Sequence, residues 1–330
     1  MHCFRFVLVL VAFVFTACDA VRAADDIKKP TAKQPKFELR DGDRVVFLGN
    51  TLIERAQKYG YWETMLTARY PNKNITFRNL GWSGDTVWAE SRGMFDPPAV
   101  GYKRMIEHVG RLKPTVIFVG YGNNEAFAGQ ERLPAFLTQY LKLLDDLVGA
   151  SAKGVRFVLL SPMLHESIAP NFLDVKTINA NIEKYAAVVE DVANARECHF
   201  LDLLKLQKRW DEVDANLTYD GLHLDGAGYH KFTYLVRAGM GYAKSKRSEA
   251  DTERLTQLRQ TIIAKNRLYF YSWRPQNITY LTGFRKHEQG QNAKELAEFD
   301  KLIVAKEKEI NKLKKPVAHT YEIIRVKKDK

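Results

Sequence analysis

The sequence predicts an α/β fold, a parallel sheet covered by helices on both faces, followed by a helical extension. Three observations predict it. Five short aliphatic or aromatic runs alternate with segments of helical period between residues 37 and 242, the order that right-handed crossovers turn into a parallel sheet. Glycines, carboxamides and hydroxyls collect directly after those runs, where sheets of this kind bind ligands. Beyond Tyr242 the alternation stops and two amphipathic stripes take over.

The runs lie at 44–48, 75–78, 115–119, 156–160 and 199–202. They are short and largely aliphatic or aromatic, as buried parallel strands are. After the first run, Leu52, Ile53, Ala56, Trp62, Met65 and Leu66 recur near the helical period. Phe136, Tyr140, Leu143, Leu144 and Leu147 do so after the third, and Ile178, Ile182, Tyr185, Val188, Val189 and Val192 after the fourth. In the extension one stripe is Leu255, Leu258, Ile262 and Ile263; the other is Leu296, Phe299, Leu302, Ile303, Ile310 and Leu313. The segment between them, 268–290, is dense in aromatics. Tyr269, Tyr271, Trp273 and Tyr280 suit a packed seam against the main domain or a sugar-binding platform, and we read them as packing.

At 330 residues, with 45% hydrophobic and 27% charged side chains, the chain carries apolar material for a sizeable core, which excludes a disordered or low-complexity protein. No apolar run reaches the ~18 residues of a spanning helix. The stretch 6–17 follows Arg5 and precedes Val21-Arg22-Ala23, the layout of a signal peptide over 1–23. We therefore expect export, periplasmic or extracellular, with a linker over 24–36. Phe15-Thr16-Ala17-Cys18 also resembles a lipobox, which would anchor the protein through Cys18. The three cysteines are too few for a disulfide framework and lack zinc-site spacing.

Residues 243–330 hold 21 Lys and Arg against 11 Asp and Glu, so +10 of the formal +12 lies there. The expected organisation is a domain over 37–242 and a basic helical extension over 243–330. That charge is the solvated face of Lys-rich helices, or a surface that meets an anionic cell-envelope polymer or headgroup. Nucleic acid is not an expected partner of an exported protein.

The chemistry collects at the strand ends. Gly49-Asn50-Thr51 follows the first run and opens a helix, where backbone N–H groups and the helix dipole favour developing negative charge. Asn79-Leu-Gly-Trp-Ser-Gly-Asp-Thr86 follows the second, Gly120-Tyr-Gly-Asn-Asn-Glu125 the third, and Asp220-Gly-Leu-His223 stands far downstream. A hydroxyl, a carboxamide and an Asp three residues before a His are the parts of an acyl-transfer site.

In these four blocks, spread over 37–242 and in this order, the sequence resembles the SGNH (GDSL-type) hydrolase family. The family's G-D-S turn falls on Gly49-Asn50-Thr51, its oxyanion glycine on Gly84, its G-x-N-D block on Gly122-Asn123-Asn124-Glu125, and its D-x-x-H block on Asp220 to His223. The resemblance implies a flavodoxin-like three-layer α/β/α sandwich with a five-stranded parallel sheet. It implies ester hydrolysis without metal or cofactor on a small-molecule or polysaccharide ester, commonly deacetylation of carbohydrates in exported members. The implied catalytic residues are Thr51, His223 and Asp220. The implied oxyanion hole is formed by Thr51, Gly84 and Asn124, with Gly49, Asn50 and Gly122 in support. The departure is that Thr51 stands where the family has its nucleophilic Ser, and Asn50 where it has Asp. Thr keeps the hydroxyl, but its β-branch restricts χ1 and its methyl competes for acyl space. A domain that binds an acylated or sugar ligand without turning it over is the alternative.

Each residue also has a plainer use. Thr51 suits a helix N-cap, and Asn124 a turn. Asp220 and His223 would be ordinary surface residues outside the block order. Ser83 is a substitute nucleophile that the family pattern assigns to structure. His165-Glu166, after the fourth run, lines the cleft or is a loop pair. Trp82, Trp88 and Tyr121 stack on sugar or sit in the core.

Overall fold

The computed structural model describes residues 36–168, 174–211, 216–242 and 249–316. The signal segment, Cys18 and nearly all of the 24–36 linker lie outside the described residues. Each predicted run is a strand: β1 (Arg44–Gly49), β2 (Thr76–Asn79), β3 (Val116–Gly120), β4 (Arg156–Leu160) and β5 (His199–Leu201). All pair in parallel in the order β2-β1-β3-β4-β5, with Gly49 opposite Gly120 at the carboxyl ends of β1 and β3. The order reverses between β1 and β3, so the crevice of this doubly wound sheet opens above those two glycines.

Alternate strand residues feed two cores. Val45, Phe47, Val116, Phe118, Val158 and Leu160 face one way, and Val46, Leu48, Ile117, Val119, Phe157 and Leu159 the other. The first face is covered by α1 (Thr51–Tyr59), α2 (Tyr61–Arg69) and α7 (Gly226–Gly239); the second by α3 (Pro98–Leu112), α4 (Leu133–Ala150) and α5 (Val175–Ala195). A short α6 (Leu203–Asp211) follows β5. The α1 to α5 segments follow the periodicity except α3, whose buried positions are only Gly101, Met105 and Val109, too few to stand out in the sequence. Among the described residues no helix is long and apolar enough to cross a membrane.

The C-terminal part is helical: α8 (Glu249–Trp273), the short α9 (Ile278–Leu281) and α10 (Lys286–Gln289), and α11 (Glu298–Leu313). Leu258 and Ile262 of α8 bury against Ile310 of α11, and Ile303 is buried as well. Leu302, assigned to that stripe by its spacing, is exposed instead, because two helices in contact bury a narrower stripe than a helix lying on a sheet. Lys265 fastens α8 to the sheet edge: its Nζ reaches Glu63 Oε1 at 2.6 Å and the Phe77 carbonyl at 3.1 Å. Both side chains are buried, so removing either one would strand a charge, a loss of about 3–5 kcal/mol.

Candidate active site

The turn from β1 into α1 leaves no room for a side chain at Gly49: a Cβ there would lie 2.4 Å from the Gly120 carbonyl oxygen. Asn50, not Thr51, caps the helix, its Oδ1 accepting from Leu52 N–H at 3.2 Å. Thr51 is therefore the first helical residue, and its hydroxyl is free of the capping task. Thr51 Oγ1 accepts from Gly84 N–H at 3.0 Å.

Gly84 sits at φ +74°, a left-handed turn suited to glycine. The turn that carries it is tied to α1. Asn79 donates to the Ile53 carbonyl at 2.7 Å and accepts from Gly81 N–H at 2.8 Å. Gly81 passes so close that a Cβ would lie 2.3 Å from Glu54 N. Glu54 accepts from both Ser83 N–H, at 2.7 Å, and Ser83 Oγ, at 2.9 Å. Ser83 is thus a structural link and not a spare nucleophile.

After β3, Gly122 adopts φ +112° and donates its N–H to Glu125 Oε2 at 2.8 Å. Asn123 is joined to Met163 in both directions. Asn124 Nδ2 donates to the Asp85 carbonyl at 2.7 Å; a carboxamide has two N–H donors, so one stays available. Beneath lies a buried ionic cluster. Asp85 pairs with Arg92 at 2.6 Å and accepts from the Tyr121 hydroxyl at 3.1 Å. Glu125 also takes Val87 N–H at 2.8 Å, yet burial pushes its carboxyl up to about 7.

The loop before α7 presents the dyad. Asp220 Oδ2 lies 2.7 Å from His223 Nδ1, while Oδ1 accepts from the N–H groups of Leu222, at 3.0 Å, and His223, at 2.6 Å. Burial acts to raise the Asp220 carboxyl, but the His223 ring and these two N–H groups outweigh it and hold it below the usual carboxylate value. An Nδ1–H held by a carboxylate leaves Nε2 as the basic nitrogen.

Glu166, which the sequence pattern could not separate from a loop pair, is the clamp of this loop. Its carboxylate accepts from Leu217 N–H and Thr218 N–H, both at 2.7 Å, and from the Thr218 hydroxyl; its own N–H donates to the Gly221 carbonyl at 2.8 Å. The available signal was position alone, an acid just past the carboxyl end of a strand. Glu54 went unnoticed for the same reason.

Thr51, Asn123, Asn124, His165 and His223 line one open cleft over the β1/β3 crevice. No hydrogen bond joins Thr51 to His223 among the described residues; nucleophile–base contacts are often long without substrate. Trp82 and Tyr121 are buried, and Trp88 packs on the α3–α4 core, so these three serve packing and not sugar stacking. Two exposed aromatics border the cleft by packing on its lining residues: Tyr219 stacks on His223 with centroids 6.2 Å apart, and Phe127 lies 5.4 Å from the His165 ring. In the extension, Tyr269 and Trp273 pack against the main core, and Trp273 meets Trp82 at 5.9 Å.

No curated protein matches the chain. Among solved structures, it is similar to BT4096, a gut microbial diltiazem-metabolizing enzyme, with a TM-score of 0.62 at 14% identity over 86% of this chain and 98% of that one. It is also similar to a catalytic mutant of an acetylxylan esterase from Geobacillus stearothermophilus, with a TM-score of 0.50 at 17% identity over 64% of this chain and 100% of that one. At these identities the likeness is one of fold. The model of the GDSL-like lipase/acylhydrolase family matches residues 45–231, a span that runs from β1 into α7 and takes in all four strand-end blocks. With more than half of the sequence matched and the sheet laid out as the resemblance implied, the chain belongs to this family of SGNH-type ester hydrolases.

Proposed function

We propose that the protein is an exported carbohydrate O-acetylesterase that works through Thr51, His223 and Asp220. The observation that carries this is the placing of a carboxylate-held imidazole and a hydroxyl at a helix N-terminus on one cleft. In the reaction, His223 Nε2 takes the Thr51 proton as Oγ1 attacks the ester carbonyl carbon. The oxyanion rests on the N–H groups of Thr51 and Gly84 and on the free N–H of Asn124. Collapse expels the alcohol, which receives the proton from His223, and leaves the acyl group on Thr51. Water then attacks that ester with His223 again as base, releasing the acid and restoring Thr51. Asp220 keeps the ring in the right tautomer and stabilises its charged form. The carbohydrate substrate is supported by the expected export and by the esterase whose fold the chain shares.

A second reading follows from the Gly84–Thr51 hydrogen bond, which aims an oxyanion donor at the hydroxyl, together with the Thr that stands at the nucleophile position. On this reading the domain binds an acylated or carbohydrate ligand and turns it over weakly or not at all. The division at residue 242, export by the segment 1–23 and attachment of the basic extension to an anionic envelope surface belong to the same proposal. The test is the initial rate of acetyl-ester hydrolysis by the mature chain beside Thr51→Ala and His223→Ala. Loss in both variants, each still folded, supports the nucleophile and base. A native rate equal to that of Thr51→Ala rejects them.

A further inference from the structure

Outside the proposed catalytic set, one side chain in the cleft has no work in the protein. His165 is 4% exposed and lines the cleft, yet neither Nδ1 nor Nε2 has a hydrogen-bond partner in the protein. Leaving a buried polar group unpaired is destabilising, so an imidazole with two of them is a costly way to fill space. Its placing is also fixed. Asn179 of α5 accepts from His165 N–H and donates to its carbonyl, both at 2.8 Å, which locks the backbone in place at the cleft wall.

The surroundings indicate what the ring meets. Burial, and the His223 ring beside it, hold the imidazole below its ordinary pKa, with Asp220 opposing. The ring is therefore neutral at pH 7 and offers one N–H donor and one acceptor nitrogen. A hydroxyl, itself donor and acceptor, is the group that satisfies either nitrogen. Two exposed aromatics pack on residues that line the cleft: Phe127, 48% exposed, on His165, and Tyr219, 55% exposed, on His223, with its hydroxyl accepting from Arg55 Nη1 at 3.2 Å. Aromatic rings offer apolar faces to the C–H surface of a saturated ring.

We propose that His165 is the floor of a subsite for the alcohol part of the substrate, where it hydrogen-bonds a free hydroxyl of a saturated ring flanked by Phe127 and Tyr219. As a statement about substrate choice this rests on the esterase reading; as a statement about ligand binding it does not. His165 is a specificity residue and takes no part in the acyl-transfer step.

The test has two arms. In the first, kcat/KM is measured on a mono-O-acetylated methyl pyranoside and on 4-nitrophenyl acetate, whose alcohol part has no free hydroxyl. The ratio of the two values should fall roughly tenfold or more in His165→Phe, because the hydroxyl loses its partner. His165→Gln, which keeps a donor and an acceptor, should restore most of the ratio. An unchanged ratio in His165→Phe, whether both rates fall together or neither does, overturns the proposal. The second arm needs no turnover. In a Thr51→Ala background the side-chain ¹⁵N resonances of His165 are followed while methyl β-xylopyranoside is added. A saturable shift at His165, absent from other histidines far from the cleft, is expected. No binding, or binding that moves His223 and leaves His165 unmoved, overturns the subsite even if the protein hydrolyses no ester.

Discussion

Arg274 Nη1 lies 2.6 Å from Glu54 Oε2, an ion pair that joins the end of α8 to the helix that Thr51 begins. The Arg274 guanidinium also sits 3.5 Å above the centre of the Trp82 ring. Glu54 is the residue that holds Ser83 by its N–H and its hydroxyl, and Ser83 precedes Gly84. The C-terminal helices are thereby connected, through one carboxylate, to the turn that carries Gly84, the proposed oxyanion donor.

Arg274→Ala should therefore lower kcat on acetyl esters by roughly 3- to 30-fold with little change in KM, since geometry is lost at the oxyanion turn and not in the ligand cleft. Arg274→Lys should recover part of the rate but not the stacking on Trp82. A rise in KM at constant kcat would show that Arg274 serves the ligand instead.

Glu166→Ala would leave Leu217 N–H, Thr218 N–H and the Thr218 hydroxyl without their acceptor. Three buried donors, at about 1–3 kcal/mol each, put the loss of stability at roughly 3 kcal/mol or more, to be read from urea unfolding. At temperatures where the variant is still folded, the activity should also drop, because the Asp220–His223 loop is released. A variant as stable as the native chain would argue against the clamp.

Thr51→Ser keeps the hydroxyl and removes the methyl. If Thr51 attacks the ester, the smaller residue should raise kcat, by about fivefold if ~1 kcal/mol of crowding is relieved. The assay is acetyl-ester hydrolysis under saturating substrate. A drop in rate would mean that the methyl helps to place the hydroxyl.

The joint between α3 and α8 should be acid-sensitive. Burial, with Arg111, Arg92 and Arg104 nearby, pushes the His108 imidazole down to about 4 from 6.5, and its ring packs edge-on against Trp273 at 5.4 Å. The folded protein prefers the neutral ring, so this contribution is complete above pH 6.5 and is lost as the pH falls toward 4. The ring is partly exposed, which limits the loss to roughly 2 kcal/mol. Thermal unfolding of His108→Gln should accordingly depend less on pH between 6.5 and 4 than that of the native chain. Parallel curves for the two proteins would remove His108 from the account.

Local chemistry determined much of this protein. The largely apolar runs became five strands, and the central β1, β3 and β4 are almost continuously apolar because a strand covered on both faces must be apolar wherever its side chains point. Gly49, Gly84 and Gly122 stand where the backbone turns left or passes another backbone too closely for a Cβ, and each marks a strand end. Asp220 and His223 meet within a single turn, so their three-residue spacing was enough to pair them. Tertiary structure decided the remainder. Asn50 took the cap and released Thr51. Trp82 and Tyr121 went into the interior, while Tyr219 and Phe127 stayed at the cleft. Glu166 found its backbone donors some fifty residues away, Glu54 was joined by Arg274 from the far end of the chain, and His165 was buried without a partner. These outcomes depend on which strand ends lie side by side in the order β2-β1-β3-β4-β5. Periodicity records which residues turn inward, but not which neighbour they will meet there.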